Sequence, residues 1–300
     1  MTPLVTSSLR RLGSLGDVGP LAYGHWRFTT DDVAAAQGLI EAALAVGMNL
    51  IDTADVYGLD WGGTSFGQCE SLLGRVLAAA PHLRNEMVLA TKGGIVPPVP
   101  YDSSPQALRD ACEASLRRLG VETIDLYQIH RHDMFTHPAD VAATLAELRA
   151  SGKIREIGVS NHTPAQVDAL RAHLPFAIVS NQIELSAARL DPIRDGTLDA
   201  CMRDGVTPMA WSPLAGGRLA TGEGVPGDLI DVLDELAGRE NVDRSAVALA
   251  FVLAHPAQPV AIIGTQRAER VSAAADALRV HLDRADAYRI VQASEGVPLP

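Results

Sequence analysis

The sequence predicts a single-domain α/β fold, a (β/α)8 barrel spanning residues 1–300 with an extra C-terminal helix. Three observations predict it. From Pro20 onward, short apolar runs alternate with longer Ala/Leu-rich amphipathic stretches; the runs number eight; and polar residues stand repeatedly at or just past their carboxyl ends. Alternation of this kind lays helices over parallel strands. Eight strands also fit an open doubly wound sheet, but reactive groups at successive strand ends favour closure, because in a parallel barrel those ends open on one face.

The predicted strands are PLAYG (20–24), NLID (49–52), MVLAT (87–91), IDLYQI (124–129), IREIGVS (154–160), AIVSNQ (177–182), VTPMAW (206–211) and VAIIG (260–264). Between them the helical patterns 29–47, 103–120 and 163–174 begin with Ser, Thr or Asp ahead of an early Pro or acid. Several helical stretches end at Gly, the residue that closes helices most easily. The segment 215–228, AGGRLATGEGVPGD, is the loosest stretch and reads as a long active-site loop. The tail 283–300 reads as one further helix with a frayed end outside the barrel ring. No linker rich in Pro, Gly or Ser and no fixed-period repeat divides the chain, so one domain is the simplest account.

Composition narrows the function classes. With 47% hydrophobic and 20% charged residues the chain can bury a large core. A formal net charge of -11 repels phosphate backbones and anionic lipid, which argues against nucleic-acid and membrane partners and requires any anionic ligand to be held by local donors. Cys69, Cys112 and Cys201 are too few and too scattered for a disulfide framework or a metal site, and a reduced cytoplasmic location fits them. MTPLVTSSLRRLGSLG carries no apolar stretch before a small-residue cleavage site, and no later segment stays apolar long enough to cross a bilayer, so neither secretion nor membrane insertion is expected. The acidic charge is compatible with a monomer or a weak homo-oligomer.

Asp52 follows NLI, Lys92 follows LAT, His130 follows LYQI, Asn161 follows GVS and Gln182 follows VSN. Taken singly, Asp52 reads more readily as a helix cap or turn residue than as a catalyst, Tyr57 as a core-edge residue and Lys92 as a solvated amine, while His130 is ambiguous. Together they describe a relay. An ammonium against a phenol oxygen stabilises phenolate, and a carboxylate behind it keeps that ammonium charged and placed. His130 would add a hydrogen bond to a substrate carbonyl oxygen and stabilise the alkoxide that develops there.

The stretches NLIDTADVYG (49–58), ATKGG (90–94), SLRRLGVETIDLYQIH (115–130), GKIREIGVSN (152–161), SNQIELS (180–186), AWSPLAGGRL (210–219) and IIGTQRAER (262–270) resemble, in order and over nearly the whole chain, the signatures of the aldo-keto reductase superfamily, in its bacterial NADP-dependent oxidoreductase branch. The resemblance implies a TIM barrel that binds NADP(H) extended, without a Rossmann domain, and reduces aldehydes or ketones by direct hydride transfer. NADPH is the expected cofactor, with NAD possible, and a small-molecule carbonyl compound the expected substrate. Asp52, Tyr57, Lys92 and His130 match the family's catalytic tetrad, with Tyr57 as general acid in reduction.

The same resemblance implies a cofactor site. Ser160, Asn161 and Gln182 match the ligands of the nicotinamide carboxamide, and Trp211 the platform under the ring. Ser212, Pro213, Leu214, Gly216 and Arg218 match the segment around the pyrophosphate, with glycine letting the backbone approach closely. Ile263, Gly264, Thr265, Gln266 and Arg270 match the adenosine end, Arg270 meeting the 2′-phosphate with its planar fork of donors. Gly24 belongs with the cofactor contacts at the end of the first strand.

The chain departs from the family where many members carry a lysine beside the 2′-phosphate and Glu and Asn against adenine. It has Gly264, Ala273 and Ala274 there, with Arg267 nearby. Trp26 and Trp61 are expected as apolar walls around the substrate. No metal site is expected. Two other readings stand beside the reductase: a nicotinamide-binding regulatory subunit with little turnover, and an unrelated barrel enzyme acting on a sugar or phosphorylated metabolite.

Overall fold

In the computed structural model, which describes residues 4–59 and 62–299, the eight apolar runs close into one barrel. A short antiparallel hairpin, β1 (Arg10–Arg11) and β2 (Asp17–Val18), precedes them. The barrel strands are β3 (Leu21–Gly24), β4 (Leu50–Asp52), β5 (Val88–Gly93), β6 (Ile124–Ile129), β7 (Ile154–Ser160), β8 (Ile178–Glu184), β9 (Thr207–Trp211) and β10 (Val260–Ile263). All neighbours pair in parallel, and β10 closes onto β3. An open sheet is therefore excluded, and the observed strand ends lie within two residues of the predicted ones.

Helix starts follow the capping chemistry. Asp32 accepts from the Ala35 amide ahead of Val33–Ala45, and Ser104 from the Ala107 amide ahead of Pro105–Leu119. Thr163 and Gln166 form a reciprocal capping box on Pro164–Arg171, which ends three residues before the predicted 174. The tail forms Arg284–Glu295, opened by a second box from Asp283 and Asp286.

The segment 215–228 corrects the expectation of a long loop. It folds into the 3-10 turn Ala215–Gly217, the short helix Arg218–Thr221 and the start of Gly227–Glu240. Gly216, Gly217 and Gly222 take positive φ, so the chain turns sharply between these pieces, and the Arg218 guanidinium ties the segment by donating to the carbonyls of Ala215 (3.0 Å) and Gly224 (3.2 Å).

Two apolar clusters form the core. The larger lies between strands and helices, and the smaller fills the barrel interior with Leu50, Ala90, Leu126, Val179, Met209, Val260 and Ile262. Leu12 and Val18 of the hairpin pack onto that smaller cluster. Alternation along a strand then fixes which polar side chains face inward. Leu50 and Asp52, Ala90 and Lys92, and Leu126, Gln128 and His130 share the inner face, while Ile51, Leu89, Tyr127 and Ile129 face the helices.

On β8 a register shift opposite Ile157 and Gly158 inserts Val179, so that Val179 joins the apolar floor and Gln182 still reaches inward to Asp52. Among the described residues no helix is long and apolar enough to cross a membrane, no cluster suits a metal ion, and the three cysteines are buried free thiols.

Candidate active site

The carboxyl ends of β4, β5 and β6 bring Asp52, Tyr57, Lys92 and His130 together. Lys92 is fully buried, and its ammonium donates to Asp52 Oδ2 (2.7 Å), the Thr53 carbonyl (2.8 Å) and the Tyr57 hydroxyl oxygen (3.1 Å). An ammonium has three N–H groups, so all are committed. Because the phenol oxygen accepts from Lys92, its own proton points elsewhere and can be donated. The His130 ring meets Tyr57 edge-on, centroids 5.7 Å apart at 79°, and its amide donates to the Gly93 carbonyl (2.9 Å).

Electrostatics sets the protonation states. Burial drives His130 well below its ordinary range, with the charges of Lys92 and Arg131 adding, so the imidazole is neutral. Burial also raises Tyr57, and the Lys92 ammonium only partly offsets it. The ammonium thus acts in the expected direction while burial outweighs it, and the resting hydroxyl is protonated, the form a general acid needs. Lys92 is pushed down by burial but more strongly up by Asp52 and Tyr57, and stays charged.

The neighbouring strand ends, β7 to β10 and β3, assemble the second group. The Ser160 hydroxyl donates to the Gln182 carbonyl (2.9 Å), Asn161 Nδ2 to Ser160 Oγ (2.7 Å), and Trp211 Nε1 to Asn161 Oδ1 (3.0 Å), which ties the indole edge to a polar lattice. Asn161 and Ser212 hold positive φ, and Ser212 Oγ accepts from the Gly216 amide (2.7 Å), drawing Pro213 and Leu214 into a tight turn. Beyond Ile263, Gly264 lies against Gly24: a side-chain carbon on Gly264 would be 3.4 Å from the Gly24 carbonyl oxygen. The Thr265 carbonyl accepts from Tyr23 (3.0 Å), and Gln266, Arg267 and Arg270 are exposed around the short helix Ala268–Ala273.

Trp26 is half-buried at the end of β3, with the Arg27 guanidinium 5.9 Å from its ring centroid. Trp61 lies outside the described residues. Three contacts go beyond what the sequence reading anticipates. Gln128 Nε2 donates to Asp52 Oδ1 (3.2 Å), Gln182 Nε2 donates to the same oxygen (2.9 Å), and Arg131 stands 5.9 Å from the Trp211 ring centroid. Period-two alternation along LYQIH is the available signal for Gln128, since it shares a face with His130. A groove of about 690 Å³ lined by Asp17, Asn49, Arg84, Val88, Asp125 and Arg155 lies at the opposite, amino end of the barrel, where Arg84 and Arg155 pair with Asp125 at 2.8 and 3.1 Å.

Comparison with known proteins now decides the family. The profile of the Aldo/keto reductase family matches residues 20–295. The chain belongs to this family. The aldo/keto reductase is 47% identical over 297 residues to a 6-dehydroglucose reductase of Novosphingobium aromaticivorans, covering 98% of this chain and 97% of the relative. It is 39% identical to a 6-dehydroglucose reductase of Agrobacterium fabrum, covering 89% and 91%. Among solved structures it resembles a glycerol dehydrogenase from Gluconobacter oxydans, with 27% identity, a TM-score of 0.84 and 98% of each chain covered.

The same reductase buries neutral histidines beside its site, with a consequence for stability. Burial, helped by the Lys92 charge, holds His25 down to about 3, and burial holds His162 down to about 4. In the unfolded chain each titrates near 6.5, so the stability they contribute is complete above about pH 6.5 and is lost as pH falls toward 4 and 3. At about pH 5 the loss is about 2 kcal/mol for each. Urea midpoints should fall between pH 7 and pH 5; a flat or rising midpoint contradicts this account.

Proposed function

We propose that this aldo/keto reductase transfers hydride from NADPH to an aldehyde or ketone carbonyl, giving an alcohol, with Tyr57 as general acid. The observation that carries the reading is the Lys92 ammonium, saturated by Asp52, Thr53 and Tyr57, which leaves the phenol proton as the one this relay can release. Lys92 then stabilises the phenolate that remains. Neutral His130 supports the reaction as a hydrogen-bond donor to the carbonyl oxygen, where negative charge develops.

The chain fits a nicotinamide dinucleotide. Trp211 offers a half-buried indole plane fixed through Asn161, Ser160 and Asn161 stand beside it, and the tight turn at Ser212–Gly216 follows directly on from Trp211. Gln182 directs its amide nitrogen at Asp52, which leaves its amide oxygen for a carboxamide donor. A bound NADPH supplies the hydride. The exposed guanidinium groups of Arg267 and Arg270 supply the 2′-phosphate preference where the family lysine is replaced by Gly264. The double variant Arg267→Ala/Arg270→Ala should lower the NADPH-to-NADH ratio of kcat/KM by about tenfold or more, since a charge-assisted hydrogen bond contributes about 1.5–3 kcal/mol. An unchanged ratio removes both from that role.

The substrate class we favour is a polyhydroxylated aldehyde. Two relatives named 6-dehydroglucose reductase support it, as do the polar groups past β6, Arg131 against Trp211 and His132 against His162. The test is absorbance at the nicotinamide band with a carbonyl panel including 6-dehydroglucose, run with NADPH and with NADH. Turnover on the sugar aldehyde above apolar aldehydes supports the class. Binding of cofactor with no turnover on any carbonyl would instead indicate a regulatory, cofactor-sensing protein.

A further inference from the structure

Asp52 is a buried carboxylate whose two oxygens do different work. Oδ2 accepts from Lys92 at 2.7 Å, while Oδ1 accepts two side-chain amides, Gln182 at 2.9 Å and Gln128 at 3.2 Å. A carboxylate withdrawn from water needs such donors, and their placement decides which oxygen faces the ammonium.

Gln128 is built into this position. Its Cα pairs in register with Lys92 on one side and with Gly158 on the other. A side-chain carbon on Gly158 would lie 2.2 Å from Ser180 Oγ and 3.0 Å from Gln128 Cγ, so the glycine leaves the room in which Gln128 lies across the interior. Gln128 is fully buried, and its Oε1 has no hydrogen-bond partner. An apolar side chain would avoid that unsatisfied acceptor, whose burial is costly. The amide is oriented to give one bond, to Asp52, and the reverse orientation would set its oxygen against the carboxylate.

We propose that Gln128 is a positioning residue of the reductive site, clamping Asp52 Oδ1 so that Oδ2 is held toward Lys92 and Lys92 toward the Tyr57 hydroxyl. The inference rests on the reading of Tyr57 as the acid. Gln182 is tied to the nicotinamide side through Ser160 and Asn161, whereas among the described residues the Gln128 side chain hydrogen-bonds none of the proposed cofactor contacts and reaches them through Asp52. Loss of its donor should therefore act on the proton-transfer step and not on cofactor binding.

The experiment compares Gln128→Met, similar in length but without the donor, with Gln128→Glu in carbonyl reduction by NADPH. Q128M is expected to lower kcat about tenfold, with the carbonyl KM and the NADPH Kd within about twofold and a larger isotope effect from deuterated NADPH. The carboxyl group introduced in Q128E would donate to Asp52 only when protonated. The groups facing it are Asp52 and the Lys92 ammonium, with Tyr57 and His130 above them and Arg131 at the mouth. The ratio of the Q128E rate to the wild-type rate should rise as pH is lowered from about 8 to about 5.5. An unchanged kcat in folded Q128M, or a loss spread equally over kcat, KM and Kd, overturns the proposal; if Q128M does not fold, a pH-independent Q128E ratio overturns it. Tyr57→Phe is run alongside: turnover in that variant defeats the reading of the site itself, while an inactive Y57F with an unaffected Q128M defeats only the clamp.

Discussion

Replacing Tyr57 with Phe should lower kcat for carbonyl reduction by about 10²–10⁴-fold while leaving the Kd of NADPH within about twofold. Phenylalanine keeps the edge-on contact with His130 and the packing against the core, and removes one oxygen and one proton. Lys92 keeps two of its three acceptors, Asp52 and the Thr53 carbonyl, so the relay behind the missing hydroxyl stays assembled. Single-turnover absorbance separates the outcomes: bound NADPH that is not oxidised confirms the acid role, and oxidation at the wild-type rate removes it.

The second large effect concerns Lys92. Lys92→Met should abolish measurable reduction and also destabilise the fold by about 3–5 kcal/mol, because it leaves a buried carboxylate without its counter-charge. The two losses separate in the double variant Asp52→Asn/Lys92→Met, which carries no uncompensated buried charge. Its thermal midpoint should recover most of the way to wild type while activity stays absent. A double variant as unstable as Lys92→Met would show that the amine stabilises by packing, not by charge.

Much of this site is legible in the sequence because it stands where strands end. Asp52, Lys92, His130 and Gln182 each close an apolar run, and alternation along a strand assigns their side chains to the interior together with Leu50, Ala90 and Leu126. The hairpin at Arg10–Arg11 and Asp17–Val18 is not legible, since two residues in each strand give no period to read. The 215–228 segment misleads because its glycines mark turns between short helices as readily as they mark a loop. The amide of Gln182 reads as a ligand contact, yet its nitrogen faces Asp52. That choice depends on the bulge at Val179, which no pattern of apolar residues announces. For Tyr57 the neighbouring ammonium can be foreseen, but the balance of burial against the Lys92 charge needs coordinates.

The hairpin beneath the barrel has a bearing on how protons travel. Leu12 and Val18 cover the amino end below a layer of Leu, Ala, Val, Met and Ile side chains, so apolar packing separates that end from the Asp52–Lys92 pair. The Asp52–Lys92 pair stands on the other side of that layer, with Tyr57 and His130 at the carboxyl rim. On the proposed reading of Tyr57 as the acid, that apolar floor directs reprotonation of its hydroxyl to the rim and not through the barrel.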